Sequence, residues 1–416
     1  MEYVKHYRCT LCGTIHNKDE YVLTCEKCKE KGILDTIYDY EKLRKVMNRK
    51  YLKDNPDLSI WRYGPLMSVK ETDCTKTLHV GMTPLYKSVR LGASLGFESL
   101  WIKDDGVNPS GSMKDRASLV ACMKALETGY DTISCASTGN AASSLAAHAA
   151  RLGLKAVIFV PERVPKGKLT QLHAYGATII KVKGDYKEAF SLSKKAIEHY
   201  GWYNRNAAIN PNMVEGKKTI AFEIAEQRGF NVPDWVVISV GDGCSIGALY
   251  NGFYDLYSIG MTDRIPRLLG VQSEGCAPLY QAFKDGRPLR EWDEDTLADS
   301  IAVSRPRNPV KALRAAQASR GDYVVVSDRD ILSASERLGK TEGVFAEPAS
   351  AASLAGAVEA LRQGIIKCDE SVVIINTGNG LKDTDALKAR IEAIPTLNND
   401  LDALKDLMHC KGGTHE

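Results

Sequence analysis

Residues 101–118 read WIKDDGVNPSGSMKDRAS. An apolar strand-like run enters a Gly/Pro/Ser turn, and a helical pattern starts near Met113. Lys114 therefore falls in the first turn of a helix, at the carboxyl end of a strand. A cation there opposes the helix dipole. The same field lowers a lysine pKa toward a nucleophilic amine. Taken alone, such a lysine is an ordinary surface residue, and its meaning depends on what the rest of the chain places beside it.

The strand–turn–helix grammar recurs outward from this stretch. After about residue 80, the apolar runs SLWIK, DTISCA, KAVIFV, TIIKV, WVVISV, RLLGVQ and SVVIINT alternate with helical stretches. Those stretches include DRASLVACMKALETG, AASSLAAHAARLG and EGKKTIAFEIAEQRG. Repeated βα units predict an α/β fold of parallel sheets covered by helices on both faces. In such sheets, loops at the carboxyl ends of strands hold the ligand.

Three further strand ends carry chemistry. In 133–150, ISCASTGNAASSLAAHAA, a polar turn of Ser137, Thr138, Gly139 and Asn140 opens an alanine-rich helix. Backbone N–H groups and two hydroxyls converge there on the place of a carboxylate or phosphate, although an isolated turn of this kind is ordinarily just a helix cap. In 235–253, a buried strand runs into Gly241-Asp242-Gly243-Cys244-Ser245-Ile246-Gly247 and then a helix. Glycines let backbone wrap an anion, and Asp242, awkward beside a phosphate, is expected to point away. The order matches neither a Walker A loop nor the G-x-G-x-x-G fingerprint. In 371–383, SVVIINTGNGLKD, Thr377 sits at the tip of the turn, where a hydroxyl can meet a ring nitrogen without charging it.

Residues 1 to about 40 differ from the rest. Cys9, Cys12, Cys25 and Cys28 form C-x2-C-x12-C-x2-C, the spacing of a zinc ribbon with four thiolates closing a structural site and no open position for catalysis. A strand-like run at Tyr21, Val22 and Leu23 leads into the second pair. The tail after about residue 395 reads as a helix and a loose end, and its terminal HCKGGTHE as a frayed terminus.

Composition bounds the remaining classes. The chain has 416 residues, enough for two domains and an appendage. A net charge of +3, with both signs mixed along the chain, gives no basic stripe for nucleic acid. No apolar run reaches membrane-spanning length, and MEYVKHYRCT lacks an apolar leader. The 11 cysteines, an odd number, include Cys122, Cys135 and Cys244 in apolar segments, which suits a reducing cytoplasm better than a disulfide framework.

Four strand-end loops with these contents fit one ligand: an aldehyde cofactor with a phosphate, a phenol oxygen and a ring nitrogen. From about residue 80 to 390 the chain resembles the threonine synthase branch of the fold-type II pyridoxal-phosphate (PLP) enzymes, the tryptophan-synthase-β-like superfamily. N-P-S-G-S-M-K-D-R is similar to that family's N-P-T-G-S-F-K-D-R, and S-T-G-N, E-P-A-S-A-A-S (347–353) and T-G-N-G-L-K-D follow in family order. The resemblance implies that Lys114 carries the cofactor as a Schiff base and moves protons at the substrate Cα. It implies that Asn140 bonds the cofactor O3′, that Gly241, Gly243, Cys244 and Ser245 cradle its phosphate, and that Thr377 meets its pyridine nitrogen. Ser137 and Thr138 then take the substrate α-carboxylate. Glu347 reads equally as a helix-dipole acid and as a group acting beside the ring.

The implied reaction converts O-phospho-L-homoserine and water to L-threonine and phosphate. Two residues depart from the family pattern. Met213 stands where N-P-Y-R-L-E-G has a phosphate-gripping arginine, and Ala141 follows S-T-G-N where a threonine is common. Lys166, Lys168 and Arg205 are the candidates to replace the lost charge. The alternatives are a threonine or serine ammonia-lyase, another β- or γ-replacement enzyme acting on an unphosphorylated amino acid, and a silent paralogue that binds a partner through its ribbon. The expected organisation is a ribbon-like segment at 1–40, a large PLP-binding domain from 41–120 and 236–395, a small domain at 121–235, and a tail at 396–416. Expected partners are a small amino-acid substrate and a second copy in a homodimer, with neither nucleic acid nor membrane; structural zinc is the expected metal.

Overall fold

The computed structural model describes the chain apart from residues 21, 71–72, 165, 207, 389–393 and 412–416, and apart from the side chains of residues 74, 166, 168 and 409–411. It divides into a unit spanning Met1–Lys382 and a second spanning Asp383–Glu416.

Among the described residues the first unit holds thirteen strands. They are β1 (Val4–Cys9), β2 (Ile15–His16), β3 (Leu34–Tyr38), β4 (Leu85–Lys87), β5 (Ser99–Asp104), β6 (Thr132–Ala136), β7 (Lys155–Pro161), β8 (Thr178–Val182), β9 (Tyr203–Asn204), β10 (Trp235–Ser239), β11 (Arg267–Ser273), β12 (Asp322–Val326) and β13 (Ser371–Asn376). Three sheets result, with orders β2-β1-β3, β12-β11-β10-β13-β5-β4 and β8-β7-β6-β9. In the six-stranded sheet every pairing is parallel except that of the edge strand β4 with β5. The four-stranded sheet is wholly parallel. This is the α/β architecture of parallel sheets that the repeated βα units predict.

The central strands are apolar on both faces because helices cover both. Val236 and Ile238 of β10 pack into one core cluster with Val373 and Ile375 of β13, while Val237 joins another with Val372 and Ile374. Alternation across the pleat thus serves two cores at once. All four loops singled out above lie at carboxyl ends: Lys114 after β5, Ser137–Asn140 after β6, Gly241–Ser245 after β10 and Thr377 after β13.

The N-terminal segment corrects one expectation. Val22 and Leu23 are not in a strand, and Tyr21 lies outside the described residues. The ribbon is built instead from β1, β2 and β3, antiparallel, with Cys9 opposite Leu34. The reason is burial. Leu34 and Tyr38 are fully covered, whereas Val22 and Leu23 are only half-buried.

Among its described residues the second unit carries two helices, Asp385–Lys388 and Leu401–Lys411. The chain end beyond 411, with most of HCKGGTHE, lies outside the described residues. Among the described residues, no helix is long and apolar enough to cross a membrane.

Candidate active site

Lys114 begins the helix Lys114–Glu127, directly after Met113. The turn before it is held at both ends. Ser110 N–H donates to Asp115 Oδ2 at 2.8 Å, and Met113 N–H donates to the Thr377 carbonyl at 2.8 Å. Beneath it lies a sealed ionic network. Arg116 donates from Nε and a terminal nitrogen to both Asp105 oxygens at 2.7 Å, and it also grips Glu223. Lys103 of β5 reaches Glu223 at 2.7 Å. The four side chains are out of contact with water, so the pairing fixes geometry more than it adds stability. The result is a rigid seat for the lysine beside them.

The Lys114 amine is pulled down to about 8, first by burial and then by the nearby Lys217 ammonium, while Glu347 and Cys244 act the other way. The lowering expected at a helix start is present, with burial as its first cause. The lowering gives a minority of neutral, nucleophilic amine near physiological pH, where an ordinary lysine has almost none.

Asn140 opens the helix Asn140–Leu152. Its amide donates to both oxygens of Glu347, at 2.9 and 3.0 Å. Glu347 precedes the helix Pro348–Arg362 but makes no side-chain cap there. Its carboxylate instead reaches across to Asn140, and a Cβ at Gly378 would lie 2.5 Å from it, so a side chain there would displace the carboxylate. The dipole reading of Glu347 therefore gives way to an orienting one. Ser137 Oγ accepts the Gly139 N–H at 3.2 Å, and Ser137 and Thr138 are half-buried, open to a ligand.

The glycine loop opens the helix Cys244–Ser258, whose first N–H groups have no acceptor within the helix. Gly243 has φ +86°, and a Cβ on it would lie 2.7 Å from Ala312 Cβ and from the Asn308 carbonyl. Asp242 Oδ1 accepts the Arg307 N–H at 3.3 Å. A loop that presents backbone N–H groups and excludes side chains fits a phosphate. Thr377 Oγ1 lies 2.8 Å from Ser350 Oγ, which itself accepts the Gly378 N–H at 2.6 Å. The hydroxyl is thereby oriented.

Arg205 is buried, and among the described residues its guanidinium bonds only Ser118 Oγ, at 2.9 and 3.2 Å. The side chains of Lys166 and Lys168 lie outside the described residues. Lys217 is 6% exposed and makes no ion pair or hydrogen bond among the described residues. Burial lowers its pKa, with Cys244 and Asp242 near enough to oppose the shift and Arg205 to add to it. Lys217 is the residue that sequence reasoning missed. Its signal was available: it follows Met213 by four positions, on the same face of the helix Asn212–Lys217.

The cysteine quartet is a separate site. The four Sγ atoms lie within 4.8 Å of one another, with Cys12 and Cys25 at 3.6 Å. Tetrahedral thiolates around zinc stand about 3.8 Å apart. Thr14 draws the Cys12 thiol down to about 6, and Cys12 pushes Cys28 up to about 12, so the quartet can hold several thiolates only against a cation. These residues fit a zinc ion.

Comparison with known proteins agrees with this chemistry. The family described as pyridoxal-phosphate dependent enzyme matches residues 76–378. A threonine synthase of Methanosarcina acetivorans is 39% identical over 409 residues, covering 98% of this chain and 99% of that protein. One from Methanocaldococcus jannaschii is 39% identical over 406 residues, covering 96% and 98%. Among solved structures, threonine deaminase isoform 2 of Solanum lycopersicum superposes with a TM-score of 0.65 at 22% identity, covering 84% of this chain and 93% of that one. A pyridoxal 5'-phosphate-dependent aspartate racemase gives 0.64 at 22% identity, covering 74% and 92%. At that identity the structural likeness speaks for the fold alone.

Proposed function

Since the chain belongs to the pyridoxal-phosphate-dependent enzymes, we propose that it is a threonine synthase, converting O-phospho-L-homoserine and water to L-threonine and phosphate. The observation that carries this reading is the end-to-end match to threonine synthases at 39% identity. Bound PLP supplies an aldehyde for the substrate amine and a ring that spreads the charge left by proton removal.

The chain's own residues do the rest. Gly241, Gly243, Cys244 and Ser245 hold the cofactor phosphate, mainly through backbone N–H groups. Asn140, oriented by Glu347, donates to the ring oxygen. Thr377, oriented by Ser350, meets the ring nitrogen without charging it. Ser137 and Thr138 hold the substrate carboxylate. Lys114 Nζ takes and returns a proton at the substrate Cα, and its pKa of about 8 suits both directions. In this reading residues 121–235, with the four-stranded sheet, form the smaller lobe, inserted into the larger.

For the substrate phosphate we assign Arg205 and Lys217. Two buried cations without a carboxylate partner are costly until a dianion arrives. That cost favours a phosphorylated substrate over the ammonia-lyase alternative, which needs no second anion site. Met213 removes the family's guanidinium, and Lys217 returns a charge to the same helix face one turn later.

The test is product analysis with phosphohomoserine and with threonine. Equal amounts of phosphate and threonine are expected from phosphohomoserine. Arg205→Gln and Lys217→Gln should each raise KM at least about tenfold, from ~1.5–3 kcal/mol per charged hydrogen bond. Ammonia from threonine, with no phosphate from phosphohomoserine, contradicts the proposal.

A further inference from the structure

Strand β3 leaves the second cysteine pair and carries a buried acid into the body of the enzyme. Its start is set by the thiols. Cys25 N–H donates to the Gly32 carbonyl at 2.8 Å, and a Cβ on Gly32 would lie 2.6 and 2.7 Å from the Cβ atoms of Cys25 and Cys28. Two residues on, Leu34 O accepts from Lys311 Nζ at 2.7 Å. Asp35 then pairs with Lys311 at 2.9 Å and Arg314 at 2.8 Å. Lys311 is 1% exposed and Asp35 6%.

Lys311 and Arg314 belong to the helix Pro309–Ala318, and the start of that helix is the back wall of the glycine loop. Ala312 and Asn308 meet Gly243 as described above, and a Cβ on Gly247 would lie 2.9 Å from Lys311 Cβ. Asp242 O accepts the Asn308 N–H at 3.0 Å, and Asn308 Nδ2 lies 3.7 Å from Cys244 Sγ. The wall cannot shift without the loop shifting, because close-packed backbone has no slack. On the other side, among the described residues, the ribbon's core is Tyr7, Cys9, Cys25 and Leu34, with Val22 and Cys28 half-buried against it. So small a core depends on its thiol centre for rigidity.

We propose that Asp35 is a positioning residue for loop 241–245, and that through it metal at the cysteine quartet sets how tightly the cofactor phosphate is held. The proposal rests on the reading of that loop as the cofactor-phosphate site. The coupling is reciprocal: metal in the quartet tightens PLP binding, and PLP tightens the metal.

The experiment titrates apoprotein with PLP, following the visible absorbance of the lysine-bound cofactor. Wild type and Asp35→Asn are compared, each loaded with zinc and each stripped by a chelator. Asp35→Asn is expected to weaken PLP about tenfold, within the usual range of such couplings. Stripping zinc is expected to weaken PLP in wild type by a similar factor and to change the variant little. Saturating PLP should slow zinc loss to a chelator in wild type but not in Asp35→Asn, a difference that general destabilisation does not produce. Should Asp35→Asn fail to fold, Arg314→Gln, at a half-exposed side chain, should show a smaller loss in the same direction. Equal sensitivity to stripping in wild type and variant, unchanged PLP affinity in all forms, or no zinc uptake overturns the coupling while the cofactor site stands. Absence of the visible band in wild type overturns both.

Discussion

Lys114 must be neutral to attack an aldehyde, and its burial prepares that state before any ligand arrives. Folding lowers its pKa from 10.5 to about 8. Below pH 8 the amine is protonated in both folded and unfolded chains, and the apoprotein bears the whole cost of burying the charge. As pH rises from 8 to 10.5, folding expels the proton and the cost disappears. Lys114→Met should therefore stabilise apoprotein at pH 7 by ~1–3 kcal/mol, with the gain fading toward pH 10.5. Urea denaturation of both forms across that range checks the trend. Glu347 works in the opposite sense by raising the lysine's pKa. Glu347→Gln should shift the pH dependence of PLP capture to the acid side, read as the rate at which the visible band appears. An unshifted profile would mean that Glu347 serves Asn140 alone.

The helix Lys114–Glu127 owes its placement to close backbone contact as much as to its buried face. A Cβ on Gly216 would lie 2.0 Å from the Arg116 carbonyl oxygen, so the helix Asn212–Lys217 touches the Lys114 helix backbone to backbone. Gly216→Ala should cost ~1–3 kcal/mol of stability through overpacking, measured by thermal unfolding. It should also displace Lys217, which follows directly. Elements like these differ in how far the sequence announces them. The seven long apolar runs are legible because turn residues bound them: Gly, Ser, Thr or Asn follows within three positions of every run but KAVIFV, which runs into Pro161, and the four loops follow from those turns. The edge strand Leu85–Lys87 and the two-residue Tyr203–Asn204 are too short for any periodicity. The break between Asn212–Lys217 and Thr219–Gln227 falls inside a stretch that reads as one continuous helix. Pairings are less legible still. Asn140 and Glu347 stand 207 positions apart, and nothing local in either stretch marks the other. The isolation of Lys217 is visible only once the groups around it have been placed.

The first unit is a two-sheet α/β enzyme with a small thiol-bearing sheet tied into it by the Asp35 ion pairs and a buried tyrosine hydrogen bond. Asp35 bonds Lys311 and Arg314, and Tyr38 bonds Glu215, whose other partner, Lys218, reaches Asp255 at 2.7 Å. About one zinc per chain is expected by metal analysis. Its removal should lower the thermal midpoint and weaken PLP binding without abolishing it, since the glycine loop and Lys114 remain in place. Zinc-free protein from zinc-supplemented growth would contradict that expectation. The central claim is that loops from four separate regions converge on one cofactor joined to Lys114. Borohydride reduction of the PLP-loaded protein, followed by peptide mapping, tests it most directly. The pyridoxyl group should lie on Lys114 and nowhere else; finding it on Lys217, Lys382 or any other lysine would contradict the account.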